Sequence, residues 1–133
     1  MIGLSTLSYA DFTRDNSTGI VSDASTGLRW QDNNISNTMT WQSAIDTCEA
    51  LSLGGFSDWR LPNVNELASL VDDTRINPAI NTVFQNTASN LYWSSTSYAG
   101  LLNVAWVVYF NSGYQYKYFK DSNYYVRCVR AGQ

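Results

Sequence analysis

The sequence predicts an α+β domain in which two helices lie between groups of antiparallel strands. Three observations predict it. The first third is a run of short strand-like segments divided by turn residues, the middle carries apolar residues at helical spacing, and strand-forming residues rich in tyrosine return from Leu91 onward. Elements segregated along the chain in this way favour an antiparallel sheet over a parallel α/β fold. A length of 133 residues fits a single domain spanning 1–133, because a chain of that size can bury about two thirds of its unfolded surface. No internal repeat, low-complexity tract or proline-rich linker divides it, and its prolines are Pro62 and Pro78.

The opening meander reads Phe12-Thr13-Arg14-Asp15, the turn Asn16-Ser17-Thr18-Gly19, Gly19-Ile20-Val21-Ser22, the turn Asp23-Ala24-Ser25-Thr26-Gly27, and Leu28-Arg29-Trp30-Gln31. Helical character begins after Thr40, an N-cap candidate. Trp41, Ala44, Ile45, Cys48 and Leu51 then fall on one helical face, which predicts a helix over 41–52 ended by Gly54-Gly55. After Trp59-Arg60-Leu61-Pro62, Asn63 and Glu66 have capping-box spacing, and Val64, Leu67, Leu70 and Val71 continue a second stripe that predicts a helix over 63–72. Strands are expected at 92–95, 105–110, 114–119 and 124–130, with Asn111-Ser112-Gly113 as a turn and 120–123 as a polar loop.

Composition removes several function classes. The chain is 44% hydrophobic and 14% charged, which is globular rather than disordered or fibrous. The net charge of -3, with eight Lys plus Arg, leaves no basic footprint for a nucleic acid or a sulfated glycan. Histidine is absent, which removes Ser-His-Asp and Cys-His nucleophile systems and the common zinc sites. Cys48 and Cys128 are too far apart for a CxxC redox pair, so they form either a structural disulfide or two buried thiols. The start, Met1 to Ala10, lacks the basic flank and apolar core of a signal peptide, and no apolar run is long enough to insert in a membrane, so the chain as given is expected to be soluble. Glu66, Asp72 and Asp73 could offer oxygen ligands to calcium, but no loop has EF-hand spacing and Glu66 has a capping role. No carboxylate pair stands out as glycosidase machinery. Neither a metal nor a cofactor is expected. Asn16-Ser17-Thr18 and Asn34-Ile35-Ser36 match the glycosylation pattern, which is common by chance in polar turns.

The informative feature is a shift in composition: eight of nine tyrosines, at 92, 98, 109, 114, 116, 118, 124 and 125, lie in the last third among Ser, Asn and Gly. Tyrosine gives large, rigid contact area at low entropy cost, and small polar residues adapt their hydrogen bonds, as in antibody loops. Alternation over 114–119 puts Tyr114, Tyr116 and Tyr118 on one face and Gln115, Lys117 and Phe119 on the other. The competing reading is of ordinary cross-strand pairs in a solvated sheet.

Thr26-Gly27-Leu28-Arg29-Trp30, the run Leu53-Gly54-Gly55-Phe56-Ser57-Asp58-Trp59-Arg60-Leu61-Pro62-Asn63-Val64-Asn65-Glu66-Leu67, and Tyr92-Trp93-Ser94-Ser95 leading to Tyr125-Val126-Arg127-Cys128-Val129-Arg130 together resemble the C-terminal domain of the Legionella collagen-like protein, over about residues 11–131. The resemblance implies a C-type-lectin-like fold of the formylglycine-generating-enzyme branch, with a Cys48–Cys128 bridge and a core containing Trp30, Trp59, Trp93 and Trp106, supported by Trp41. The related enzymes use a cysteine pair or histidines that this chain lacks, so the expectation is a non-enzymatic domain. Relatives with this fold are similar to the variable proteins of diversity-generating retroelements, which mutate adenines in the 3′ part of a gene. On that pattern Leu101, Leu102, Asn103, Val104, Val107, Tyr109, Ser112, Tyr114, Tyr116, Tyr118 and Ser122 are candidate variable, ligand-contacting positions, while Tyr92, Tyr124 and Tyr125 hold the scaffold.

The resulting expectation is a ligand-binding or display domain for a protein or glycan, placed extracellularly, on a cell surface or on a phage particle. The alternative is an oligomeric adhesion or structural module whose tyrosine face packs against sister subunits, as the collagen-like relatives are trimeric.

Overall fold

A computed structural model describes residues 11–132. The stretch Met1 to Ala10, read above for a leader, lies outside the described residues. The elements run β1 (Phe12–Asp15), β2 (Ile20–Asp23), β3 (Leu28–Gln31), α1 (Trp41–Glu49), α2 (Val64–Ala68), β4 (Leu91–Ser97), β5 (Val104–Tyr109), β6 (Tyr114–Phe119) and β7 (Val129–Ala131). They form two antiparallel sheets, one ordered β1-β2-β3-β7 and the other β4-β5-β6. The α+β class with two helices is as the sequence predicts.

The meander turns follow from side-chain chemistry. Asp15 accepts bonds from the Ser17 N–H and hydroxyl, and Asp23 accepts from the Ser25 N–H and hydroxyl and from the Thr26 hydroxyl, so each turn is closed by the Asp that begins it. Both helices are shorter than the 41–52 and 63–72 expected. The first ends at Glu49 because Leu51 and Leu53 leave the helix to pack on the core, and Gly54-Gly55, both at positive φ, close a separate turn in which Leu53 and Phe56 bond each other. The second opens with the expected capping box at Asn63 and Glu66, and Arg60 forks onto the Glu66 carboxylate at 2.8 Å through each terminal nitrogen. Beyond Ala68 the bonds tighten to Leu70 N–H to Leu67 O and Val71 N–H to Ala68 O, so the stripe still buries Leu70 but as a turn.

The expected strand over 124–130 is realised only as Val129–Ala131. Before it the chain passes between the sheets: Tyr124 bridges Met39, Tyr125 bridges Tyr92, the Val126 N–H bonds the Ser36 hydroxyl, and the Cys128 N–H bonds the Gln31 side chain. These single attachments replace a ladder.

Neighbouring residues repeatedly split between two apolar clusters. Ile20, Trp93, Val107 and Cys128 enter one with Ala44, Trp59 and Leu61, whereas Val21, Tyr92, Val108 and Val129 enter the other with Trp30, Leu67 and Phe110. Strand alternation explains the split, and it means that β2, β4 and β5 are covered on both faces. The Cys48–Cys128 disulfide, with Cα atoms 5.4 Å apart, ties α1 to the segment before β7 and settles the sequence alternative in favour of the bridge. Asp32, with no exposed surface, accepts from Arg14 Nε at 3.0 Å, Arg127 Nη1 at 2.9 Å and the Gln85 and Asn86 N–H groups. This network was not foreseen, and it is what fixes the 84–87 loop against β3.

Candidate functional site

The β5–β6 hairpin carries most of the candidate residues. Its register pairs Tyr109 with Tyr114, Val107 with Tyr116, Trp106 with Lys117, and Ala105 with Tyr118. Paired residues project to the same side, so the tyrosines of β6 extend outward from the sheet face that Ala105 and Val107 bury inside the first cluster. All six residues of β6 are exposed. Tyr114, Tyr116 and Tyr118 share one side of the exposed strand, and the reverse side is also open, with Phe119 54% exposed.

The rings form a continuous row. Tyr109 and Tyr116 lie 6.1 Å apart between centroids, Tyr116 and Tyr118 6.3 Å, Tyr118 and Tyr124 5.4 Å, and Tyr124 and Trp93 5.0 Å. Trp93 is fully buried, so an exposed aromatic row is anchored at one end in the core. Tyr124, expected to be scaffold, does both jobs: it packs on Trp93 and terminates the row. Tyr114 stands at the hairpin end and is 66% exposed.

Both ends of the hairpin are held. At the turn, the Gly113 N–H bonds Tyr109 O at 2.7 Å and the Asn77 N–H bonds Asn111 O at 2.8 Å. Gly113 has φ 92, and a Cβ there would stand 2.6 Å from Val71 Cγ1, so a side chain is excluded by both conformation and space. At the other end the Lys120 N–H bonds Asn103 O, and Lys120 Nζ bonds the Ser97 hydroxyl at 2.8 Å while lying 3.8 Å from the Trp41 ring centroid. A row held in this way loses little freedom on binding, which is the condition for a rigid contact surface.

The other candidates separate into groups. Leu101, Leu102 and Asn103 are exposed in the loop before β5, with Leu102 at 77%, and the Asn103–Lys120 bond brings that loop beside the chain leaving β6. Ser112 is half-buried in the hairpin turn at the opposite end, and Ser122 is half-buried with its N–H bonded to Phe119 O. Val104 and Val107 do not belong on a contact surface: they are 7% and 0% exposed, because alternation in β5 turns both sides of that strand into protein. Trp106 corrects a second expectation. It is half-buried rather than core, stacked edge-on to Tyr98 at 6.0 Å, with Lys117 Nζ 4.2 Å from the Tyr98 centroid and 5.3 Å from that of Trp106. Lys117, Tyr98 and Trp106 were missed as a surface group because only the β5–β6 register, which sequence does not give, brings them together.

Several charged side chains elsewhere are bonded into the scaffold. Hydrogen bonds from Arg60 hold the Glu66 carboxyl below its ordinary range, and Arg130, buried against Phe56, does the same to Asp58. Burial raises the Tyr92 phenol, whose oxygen accepts the Ala88 N–H. The Thr74 hydroxyl and N–H hold the Asp72 carboxyl low. Among the described residues no three His, Cys, Asp or Glu side chains are grouped to hold a metal ion, and no helix is long and apolar enough to cross a membrane. A groove of about 470 Å³ between Phe12 and residues 69–74 contains none of the candidate contact residues. The candidate surface is thus an open sheet edge and its loops, not a pocket.

The model of one protein family, the Lcl C-terminal domain, matches residues 19–130. No curated protein matches the chain.

Proposed function

The chain belongs to the Lcl C-terminal domain family, and we propose that it is a single C-type-lectin-like ligand-binding domain that displays the tyrosine row of the β5–β6 hairpin to a protein or uncharged glycan. The observation that carries this reading is the row itself: Tyr109, Tyr116, Tyr118 and Tyr124 in contact on one side of a hairpin pinned at both ends. Two helices, two antiparallel sheets and a bridge from α1 to the segment before β7 support the lectin-like assignment. The net charge of -3 argues against sulfated glycans as ligands. The function is recognition without catalysis. The disulfide fits an oxidising compartment, hence secretion or a surface location.

Within this reading the hairpin and the loops on either side of it are the diversified part of a retroelement target, with Leu101, Leu102, Asn103, Tyr109, Ser112, Tyr114, Tyr116, Tyr118 and Ser122 variable and the buried positions fixed. The neighbouring DNA is the test: it should hold a near-copy of the gene's 3′ end that differs at adenines, beside a reverse transcriptase, and its absence removes diversification. Binding is tested separately on a glycan array and a panel of surface proteins. Tyr116→Ala with Tyr118→Ala should abolish any signal seen with the parent while leaving the thermal midpoint nearly unchanged; a signal indifferent to both changes removes the tyrosine row as the contact surface.

A further inference from the structure

The main-chain edge of β6 is a second feature of the same hairpin, separate from its tyrosine face. The outer strands of the two sheets differ in how their free edges are covered. β4 is bonded along its outer side by Tyr125 and Pro62, through Trp93 N–H to Tyr125 O and Ser95 N–H to Pro62 O, and β7 is bonded there by Arg60. β1 is only four residues long and carries Arg14 and Asp15. β6 is six residues long, pairs with β5 without a register shift, contains no proline, and has no backbone partner for residues 114–118 beyond β5 among the described residues. Proteins blunt such edges with charge, proline or bulges. Here one lysine is the only charge.

We propose that β6 pairs through this edge with β6 of a second copy of the chain, antiparallel about a twofold axis at Tyr116, so that two three-stranded sheets become one. The register follows from two constraints. In an antiparallel ladder, residues opposite each other are either both hydrogen-bonded across it or both not. A strand pairing with its own copy must therefore set 114, 116 and 118 against one another, and 115, 117 and 119 against one another. The two longest overlaps are centred on Tyr116 and on Lys117. Centring on Lys117 sets two ammonium groups face to face, which destabilises. Centring on Tyr116 sets Tyr114 against Tyr118 of the second copy, Tyr116 against its own image and Gln115 against Lys117, which aligns aromatic rings on one face and leaves no like charges opposed. The Tyr116–Tyr118 rows of both copies then become one surface, so the pairing extends the display face rather than covering it.

Sedimentation equilibrium of the full chain over a concentration series up to millimolar should show a reversible monomer–dimer equilibrium. Gln115→Lys, which opposes the introduced lysine to Lys117 of the other copy on both sides of the axis, should weaken dimerisation about tenfold. Adding Lys117→Glu should restore it by turning each opposed pair into an attractive one. These substitutions lie off the tyrosine face and on a strand exposed at every position, so they do not test ligand binding and leave the fold intact by far-ultraviolet dichroism. A chain that stays monomeric throughout, a dimer indifferent to Gln115→Lys, or a failure of Lys117→Glu to restore pairing overturns the proposal.

Discussion

Strands β5 and β6 are neighbours in one hairpin, equal in length and built from residues of high strand propensity, yet their surroundings are opposite. In Val104–Tyr109 four residues are buried and two half-buried, whereas in Tyr114–Phe119 every residue is exposed. The difference lies in what packs on each. β5 lies between α1 with its cluster and α2 with the other, while β6 lies past the reach of both helices at the sheet's edge. Strand propensity therefore reports that a segment is extended and says little about whether its faces meet protein or water. β5 is packed on both faces, and β6, paired to it along the whole ladder, carries an aromatic row in the open.

The contrast is broken most severely by loosening what clamps β5. Replacing Cys48 and Cys128 with serine should cost about 4 kcal/mol, given the 80-residue separation that the bridge closes, read as a drop in the urea midpoint. A loss below about 1 kcal/mol would mean that packing alone holds the double core. Asp32→Ala comes next. It leaves Arg127, 2% exposed, without its carboxylate, and removal of one partner of a buried pair costs about 3 kcal/mol or more; a calorimetric melt should fall by at least 10 degrees or so for a domain of this size.

The comparison itself is tested by truncating cross-strand partners. Val107 and Tyr116 face each other in the register, yet Val107→Ala should cost about 2 kcal/mol from its buried site and Tyr116→Ala under about 1 kcal/mol, although tyrosine loses many more atoms. Equal costs would show that β6 is part of the core. The smallest effect sharpens the α2 side, which packs with Val108 in the second cluster. The Glu66 carboxyl is held low in the folded chain by Arg60. A depressed folded value stabilises above the unfolded pKa near about 4.3 and is lost as pH falls through the folded value. Stability should thus decline on acidification below about pH 4.3, and Glu66→Gln, which costs about 1 kcal/mol or less at neutral pH, should flatten that decline. An unchanged acid slope would show that Glu66 titrates alike in both states.

Much of the scaffold was legible. Turn residues marked β1 to β3, and the Asn63–Glu66 spacing marked the start of α2, because these rest on bonds between near neighbours in the chain. Helix ends were not: α1 stops at Glu49 because Leu51 and Leu53 have a core to enter, a fact about tertiary space. The candidate face was half legible. Alternation identified Tyr114, Tyr116 and Tyr118 as sharing a side, whereas Leu101 and Leu102 entered only through the family resemblance, and their exposure is a fact of the tertiary structure.

By itself, then, the sequence determined the class of fold, the turns, the capping box and the tyrosine alternation, all consequences of local periodicity and short-range hydrogen bonding. Only the tertiary structure decided that Val104 and Val107 are buried, that Trp106 is not core but sits with Tyr98 and Lys117, that Asp32 gathers Arg14 and Arg127, and that β6 ends its sheet. Burial on the second face of a strand depends on which distant segment lies across it, and no periodicity within the strand encodes that neighbour.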